Sequence, residues 1–593
     1  MAQAKVRKMY KSNITQIWKE YEAGKQYVDK LGLLAKSNKA YRFYEGDHWA
    51  GLKSGDEQMP IIDIIKPVVD YKVSIVTQNL MQIYYSPMNY DSFESQVAMK
   101  KVCDLLNHHI ATVWENESMD AVNTELVRDA CIAGEKYLFM YFDPSDEIEN
   151  GRLKDGKIII ETIDGPNIYF GNEQERKIQR QPYILITFRR LVKDIKEEAK
   201  VNGIPEDKIK TIVSDDDTDT SVGRYTSDEV ENDEKKVFCV MKLYRKEDGL
   251  VYVQKSTKTT IYQEETCLNL KSYPVAGLVW NRIKGTCRGE GEVYKQIPNQ
   301  IWVNKLEAYR LLSTKYFAFP KAVYSSRINN KADVDTVGAA IEVDDTDVST
   351  ALNSFAYIQP SAMSGDAAQV MNELITQTKE ASGASDYALG QSDARSYSAL
   401  MAIQDAASRP LSSQSELYKR YIEDVARIFY DFWCTYYPNG IQVVEEQQVQ
   451  TPEGVQNIEM PTVIDTAQLE QLKVKIKVDI TANGQYDKIT EQQKRDNLLT
   501  AGFITFEEYV ELLPEDENMK TSLMNVVRER QQMQMMQQQM AMLQQQNDQM
   551  QGALQQAASQ YNDQSEQMQT QTESAYKEGQ ISQAINNMNE GMS

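Results

Sequence analysis

The stretch RGEGEVYKQIPNQIWVNKLEAYRLL (residues 288–312) begins the part of the chain that decides the fold. Its apolar spacing predicts a helix. A β-rich insert, FPKAVYSSRINNKADVDTVGAAIEVDDTDVSTALNSFAYIQP (319–360), comes next, and then a second helix, AAQVMNELITQTKEA (367–381). The loop SGASDYALGQSDAR (382–395) ends the stretch. Two helices that carry a small β module at their far end form a lever or stalk. Such an arrangement offers no good pocket for catalysis.

Length and charge limit the classes of protein to consider. At 593 residues the chain is too long for one hydrophobic core, so we expect several domains. The formal net charge of −22 argues against a protein that grips nucleic acid through a basic surface. The same charge is compatible with a protein that lets nucleic acid pass without sticking.

Cysteine usage and hydropathy indicate the compartment. The six cysteines include no C-x-x-C pair, which favours buried thiols in a reducing environment over disulfides or a zinc site. The N-terminus lacks the apolar region of a secretory signal, and no run approaches the roughly 18 apolar residues of a membrane helix. We therefore expect a protein made in the cytoplasm, with no membrane partner.

The predicted secondary structure of the N-terminal half changes from helical to β near Gly134. Residues 1–130 are predicted to be mainly helical, with one helical block running from 64 to 82 and another from 95 to 117. A strand follows Gly134, and residues 137–279 consist of β-branched runs separated by Gly, Pro and Asp. The acidic segment 214–235 is predicted to be a solvated loop.

A long helix is predicted after the stalk, over residues 396–433. A buried stripe with helical spacing supports it and comprises Leu417, Tyr421, Val425, Ile428 and Phe432. Pro410 either separates two helices or kinks one.

Residues further along alternate between β and helical patterns. Residues 473–480 alternate as in a strand, residues 445–462 suggest a β-hairpin, and 483–514 suggest helix, Gly turn, short helix. In the last of these segments, Thr505 with Glu508 forms a possible capping box.

The C-terminal residues from 531 onward are rich in Gln and Met. Apolar residues nevertheless recur in steps of four and three, as in a coiled-coil seam: Met536, Met540, Leu543, Asn547, Met550, Leu554, Ala557 and Tyr561. A disordered tail and a helix that zips with neighbouring copies into a helical barrel both fit this composition.

The sequence contains no recognisable catalytic or metal-binding motif. The three histidines, His48, His108 and His109, lack the spacing of a helical metal pair. The sequence contains no phosphate-binding G-x-x-x-x-G-K-[ST] loop and no G-x-S-x-G nucleophile elbow. We therefore predict no enzymatic activity, no catalytic residues, no metal site and no cofactor.

Four local stretches, in this order, resemble the portal proteins of tailed double-stranded DNA bacteriophages. They are YRFYEGDHWAG (41–51), ELVRDACIAGEKYLFMYFD (125–143), GEGEVYKQIPNQIWVNKL (289–306) and ITEQQKRDNLLTAGFITFEEYVELLP (489–514). The resemblance covers residues 35–530 and implies an α+β multi-domain portal fold. Its parts would be a wing with helices and β-rich segments (1–295), stem helix 1 (296–318), a small α/β clip (319–361), stem helix 2 (362–382), a tunnel loop (383–396), a long kinked helix with the wing return (397–484), a helical crown (485–530) and the Gln/Met-rich tail, helical or disordered (531–593).

The resemblance also implies a function. Portals form rings of about twelve copies at one capsid vertex of the virion. In such a ring, each copy contacts the next through two different surfaces, and the series of contacts closes on itself. The ring passes double-stranded DNA by transient, non-specific contact during packaging and ejection. The implied partners are further copies of the chain, the terminase large subunit, the major capsid protein and scaffold, and the head–tail adaptor or neck proteins.

Candidate functional residues follow from these positions. On stem helix 1, Trp302, Leu306 and Tyr309 are expected to pack against neighbours. Lys305, Arg310 and Lys315 either face the channel, bridge to acids or are ordinary solvated charges. The tunnel-loop candidates for DNA contact are Asp386, Tyr387, Leu389, Gln391, Asp393 and Arg395. The clip candidates for terminase and adaptor docking are Arg327, Lys331, Asp344, Asp345 and Asp347.

Two alternatives remain open from the sequence. One is a coiled-coil virion adaptor or scaffold component, which predicts a parallel dimer or trimer with a partner-binding tail. The other is a nuclease that uses carboxylates and Mg²⁺, which predicts metal-dependent DNA cleavage.

Overall fold

The structure, a computed structural model, describes a large part of the chain in separate stretches. These are residues 14–50, 59–78, 80–87, 93–144, 156–215, 236–318, 321–324, 355–358, 365–384, 409–437, 440–451, 454–464, 469, 474–481, 495–502, 504–506, 509 and 518–589. They fall into two compact units, Met1–Asn483 and Gly484–Ser593, which are considered separately. Helix and sheet are mixed along the chain, which agrees with the predicted α+β class.

Helices are distributed along both units. They are α1 (Ile14–Leu31), α2 (Leu33–Tyr44), α3 (Ile65–Thr77), α4 (Phe93–Asn116), α5 (Met119–Ala133), α6 (Val192–Val201), α7 (Glu206–Lys210), α8 (Val293–Ala318), α9 (Gly365–Ser382), α10 (Ser412–Tyr436) and α11 (Asn518–Asn589).

Strands occur in the first unit. They are β1 (Leu80–Pro87), β2 (Glu135–Asp143), β3 (Lys157–Asp164), β4 (Ile168–Phe170), β5 (Tyr183–Leu191), β6 (Lys236–Arg245), β7 (Val251–Thr257), β8 (Ile261–Cys267), β9 (Val275–Val279), β10 (Asn281–Arg282), β11 (Gly289–Glu290), β12 (Lys321–Tyr324), β13 (Phe355–Ile358), β14 (Ile441–Thr451), β15 (Gly454–Ile464) and β16 (Val474–Thr481).

The sheets are small and antiparallel among the described strands. One sheet has the order β4-β5-β6-β7-β8 and another has the order β3-β2-β9, whereas β1–β16, β10–β11, β12–β13 and β14–β15 form pairs. The β14–β15 pair confirms the hairpin predicted for residues 445–462.

The step from α5 to β2 confirms the prediction at Gly134. This glycine has φ +111°, and its N–H donates to the carbonyl of Ala130 at 2.8 Å, which ends the helix. A left-handed φ costs a side-chain-bearing residue free energy that glycine does not lose, so the chain turns here directly into a strand.

The main core lies where α10 packs on α3, β1, β9 and β16. Tyr421, Val425, Ile428 and Phe432 are buried and Leu417 packs beside them, so the predicted stripe is confirmed. A short 3-10 helix, Arg409–Leu411, holds Pro410, and α10 begins directly after it. Because proline cannot donate an N–H within a helix, its place just before α10 leaves the ladder of that helix intact.

Two predicted element boundaries were wrong. The helical block predicted to continue to residue 82 ends at Thr77, and Leu80–Pro87 is the strand β1, which pairs with β16. The helix predicted to begin at Arg288 begins instead at Val293, because residues 288–291 are extended and packed into the core.

The second unit contains α11, which agrees with the helical alternative for the Gln/Met-rich tail. Its described seam residues are exposed, as Met540 at 67% and Leu554 at 64% illustrate. The acidic segment 216–235 and Glu508, the partner in the possible capping box, lie outside the described residues.

Candidate functional site

The predicted helix–insert–helix arrangement is present in the first unit. Helix α8 packs along α9, and Asn299 on α8 donates from Nδ2 to Thr378 Oγ1 on α9 at 2.9 Å. Beyond the two helices, β12 and β13 pair antiparallel, with Lys321 opposite Ile358. The polar bond and the strand pair together hold the two helices side by side.

A fully buried arginine anchors the start of this helix pair. The side chain of Arg288 is 0% exposed, and its five N–H groups reach five acceptors. Nη1 donates to Glu135 Oε1 at 3.0 Å and to the Gly165 carbonyl at 3.1 Å. Nη2 donates to the Ile168 carbonyl at 2.8 Å and to Glu173 Oε1 at 2.9 Å, and Nε donates to Glu173 Oε2 at 2.9 Å. A complete set of acceptors is what allows a guanidinium to be buried.

Electrostatics couple the arginine to its two carboxylates. Burial disfavours the charged guanidinium, but Glu135 and Glu173 beside it raise the pKa of Arg288 well above its usual range. Burial raises the pKa of Glu135, against the opposing charge of Arg288 and the N–H of Gly289. The arginine therefore stays charged, and it fixes β11 on β2.

Glycines allow the backbone before α8 to touch the α5–β2 step. A Cβ on Gly289 would lie 2.2 Å from the Gly134 carbonyl oxygen, and a Cβ on Gly291 would lie 2.0 Å from the Ile132 carbonyl oxygen. The N–H of Glu292 donates to the Cys131 carbonyl at 2.8 Å across this contact. The stretches 125–143 and 289–306, quoted in the sequence analysis, therefore contact each other through their backbones.

Buried amide side chains on α8 also contact the stretch 41–51 and the residues that follow it. Gln300 accepts from the Ile64 N–H at 3.0 Å and donates to the Ile62 carbonyl at 2.5 Å, and Asn304 accepts from the Ile62 N–H at 3.2 Å. Asn304 Nδ2 also lies 3.0 Å from Nδ1 of His48. Because His48 Nε2 lies 2.8 Å from the Phe43 carbonyl, which only accepts, Nε2 carries the proton and Nδ1 accepts. The buried amides of Gln300 and Asn304 therefore bind the segment around Ile62 and the ring of His48 to the inner face of α8.

The outer face of α8 is aromatic and exposed. Trp302, Tyr309 and Phe317 are each 55% exposed, and the Lys305 ammonium lies 5.4 Å from the centre of the Trp302 ring. Trp302 and Tyr309 are seven residues apart and so share one side of the helix, about 10 Å from each other. Large exposed aromatic groups in a row are typical of a surface that another molecule covers.

A groove runs beside these aromatic residues, between α2 and α8. Two adjoining cavities of about 560 Å³ and about 290 Å³ share Lys39 and Ile301. We call this space the α2–α8 groove, and its lining includes Lys39, Phe43, Trp49, Ile301, Trp302 and Lys305.

The predicted stem residues differ in their surroundings. Leu306 is half-buried against the core of its own chain, so it does not share the exposure of Trp302 and Tyr309. Arg310 pairs with Glu307 at 2.6 Å, and Lys315 is exposed. The tunnel-loop candidates (Asp386, Tyr387, Leu389, Gln391, Asp393, Arg395) and the clip candidates (Arg327, Lys331, Asp344, Asp345, Asp347) lie outside the described residues.

Sequence reasoning missed the buried polar face of α8. Gln296, Gln300, Asn304 and Glu307 are all buried, at steps of four, four and three. A polar stripe at helical spacing, opposite an exposed aromatic one, was the available signal. Arg288 gave no such signal, because its partners lie 115 and 153 positions earlier in the chain.

Within the described ranges, no group of three or more His, Cys, Asp or Glu side chains is placed to hold a metal ion. Nor does any helix there combine the length and apolarity needed to cross a membrane.

Comparison with known proteins identifies a family. The family model described as phage P22-like portal protein matches residues 196–589, which is more than half of the 593 residues and includes α8, α9, α10 and α11. No curated protein matches the chain.

Proposed function

The chain belongs to the phage P22-like portal protein family, and from that premise we propose that it forms a closed ring of about twelve copies at one vertex of the capsid. The family is structural rather than catalytic, and we propose no enzymatic activity or cofactor for this member. The observation that carries the ring proposal is the exposed aromatic stripe of Trp302 and Tyr309 on a helix whose other side is anchored in the core. In a ring, each copy covers the stripe of the next.

We propose that the ring conducts double-stranded DNA during packaging and ejection. The net charge of −22 per copy supports this role, because strong binding to DNA requires many Lys or Arg contacts to phosphate. Weak, sequence-independent contact suits translocation. The tunnel loop (383–396) is the proposed DNA-contacting segment, with Arg395 as its basic residue and Tyr387 near its tip.

We propose the clip (319–361) as the docking site for the terminase large subunit and later for adaptor or neck proteins. Its basic residues, Arg327 and Lys331, and its acidic residues, Asp344, Asp345 and Asp347, suit partners that bind in turn. The wing (1–295), the stem helices (296–318 and 362–382), the long helix with the wing return (397–484) and the crown (485–530) complete the proposed division. Capsid protein and scaffold would contact the outside of the ring in the virion.

The experiment that tests the ring is negative-stain imaging of the purified chain with native mass measurement. We expect rings of about twelve subunits with a central hole. Trp302→Ala combined with Tyr309→Ala should weaken ring formation, since buried aromatic anchors in interfaces contribute about 2 kcal/mol or more each. The same change should leave unfolding of the single chain almost unaltered, because both side chains are exposed there.

A matched control is Val201→Ala, which removes another exposed apolar side chain, 88% exposed, from helix α6. It should leave the rings unchanged. Dimers or trimers at every concentration and salt would instead favour the coiled-coil adaptor. That alternative is supported by the 72-residue helix α11, whose apolar seam is exposed in the single chain.

A further inference from the structure

We propose that the α2–α8 groove of each copy receives the outer face of helix α9 from the next copy, through matched charges and a shared apolar contact. The inference rests on the proposed ring and names the two surfaces that meet in it. A ring contact of this kind is heterologous, so it requires two different surfaces on one chain. Both surfaces are present, on two helices that pack side by side.

The groove is the basic partner. Lys39 and Lys305 line it, and within the described part of the chain neither ammonium lies within 4.0 Å of a carboxylate. Each is instead placed near an aromatic ring, Lys39 at 5.9 Å from Phe43 and Lys305 at 5.4 Å from Trp302. Lysines left without counter-charges in a chain of net charge −22 point to an acidic occupant.

The outer face of α9 is the acidic partner. Val370, Glu373, Gln377 and Glu380 follow one another at steps of three, four and three and are all exposed. The opposite face, with Met371, Leu374, Ile375 and Thr378, is turned into the chain's own structure. Neither Glu373 nor Glu380 forms an ion pair within the described ranges, although Glu373 accepts a hydrogen bond from Gln369 at 2.9 Å.

Exposed side chains recur at an interval of seven residues on both α8 and α9. Glu373 and Glu380 are seven residues apart, as are Trp302 and Tyr309, which places each pair about 10 Å apart along its helix. Val370, 45% exposed, supplies an apolar side chain for the exposed ring of Trp302. Helices that meet through side chains repeating every seven residues pack along their length.

The test uses two full-length variants with opposite charge reversals. Lys39→Glu with Lys305→Glu makes the groove acidic, and Glu373→Lys with Glu380→Lys makes α9 basic. Each variant alone then opposes like charges at every contact. We expect the protein concentration for half-maximal ring formation to rise about tenfold for each.

An equimolar mixture of the two variants is the decisive sample. An acidic groove then meets a basic α9, and an unchanged groove meets an unchanged α9, so alternating copies match at every contact of an even-membered ring. We expect the mixture to form rings at close to the wild-type concentration, with equal amounts of both variants by native mass spectrometry. Since both changed surfaces are exposed, the loss of rings should also depend on salt.

Controls with the same charge changes elsewhere are available. Lys193→Glu with Lys200→Glu, and Glu247→Lys with Glu264→Lys, alter exposed residues away from both faces and should leave the rings unchanged. Circular dichroism checks that each variant is folded, and rescue in the mixture shows it independently.

The outcomes separate this inference from the proposed ring. If the wild type forms rings and either variant alone also forms rings at the wild-type concentration, the proposed charge pairing is wrong. The proposed ring is unaffected by that result. Two defective variants that the mixture does not rescue also overturn it, because the surfaces then do not face each other. A wild-type chain that forms no ring overturns the proposed function and this inference with it.

Discussion

Arg288 shows how one buried residue anchors the chain just before helix α8. It lies just before α8, yet its five N–H groups bind groups carried by or near β2, β3 and β4, so it holds strands rather than a helix. Such a residue is costly to remove. An unpaired carboxylate in the core loses both its hydration and its counter-charge.

Arg288→Met should lower the free energy of unfolding by about 3–5 kcal/mol, since it leaves Glu135 and Glu173 without their cation in a buried place. Urea unfolding followed by circular dichroism measures the loss. Arg420→Met is the control, because that guanidinium pairs with Glu416 one turn away on α10, both side chains are exposed, and little change is expected. Equal stability of the two variants would contradict the anchoring role.

His109 makes a pH-dependent contribution to stability. Burial lowers the pKa of His109 to about 4, and its ring lies 4.9 Å from that of Trp433. A lowered folded-state pKa means that the unfolded chain takes up the proton first as the pH falls. Stability from this residue is therefore complete above the unfolded pKa of about 6.5 and decreases between that value and about 4.

His109→Gln should reduce the loss of stability between about pH 7.5 and about pH 5 by about 2 kcal/mol relative to the wild type. Urea unfolding at the two pH values measures this. The adjacent His108 is exposed, so His108→Gln should keep the wild-type pH dependence. An identical pH profile in all three proteins would show that His109 titrates normally.

At the scale of elements, close backbone contact explains the glycines that precede α8. Gly291→Ala should destabilise the first unit by about 2 kcal/mol or more, because the new Cβ would meet the Ile132 carbonyl oxygen and displace β11 from the α5–β2 step. Thermal unfolding checks this. Gly552→Ala is the comparison, since nothing lies within 4 Å of that position in helix α11. If both alanines are tolerated alike, the contact is looser than described.

Elements whose signals are local could be predicted from the sequence. The α5–β2 step, the stripe of α10 and the β14–β15 hairpin each depend on residues within about 25 positions of one another. Strand β1 could not be predicted in this way, because its partner β16 follows about 400 residues later and its own pattern continued that of the preceding helix. The features of the candidate site also differ in whether they could be predicted from the sequence. The aromatic stripe on α8 was visible, whereas the anchoring by Arg288 required the folded chain.

At the scale of the whole molecule, we propose that the C-terminal helix is stabilised by assembly. Helix α11 has 72 residues, and its apolar seam is exposed, so the single chain gains almost no burial energy from it. Side by side in a ring, neighbouring copies would cover Leu543 and Leu554. Burial would then contribute roughly 1.5–3 kcal/mol for each leucine.

Leu543→Gln combined with Leu554→Gln therefore separates the two assembly hypotheses. If stem contacts build the ring, the variant should still form rings, but the helical signal should melt earlier because the seam no longer associates. Native mass spectrometry and thermal circular dichroism at 222 nm measure both effects. Gln545→Asn with Gln556→Asn, about half a turn from the seam, should change neither. Loss of every oligomer in the leucine variant would instead mean that the tail assembles the chain, as a coiled-coil adaptor requires, and the stem stripe would then have to be covered by a different protein.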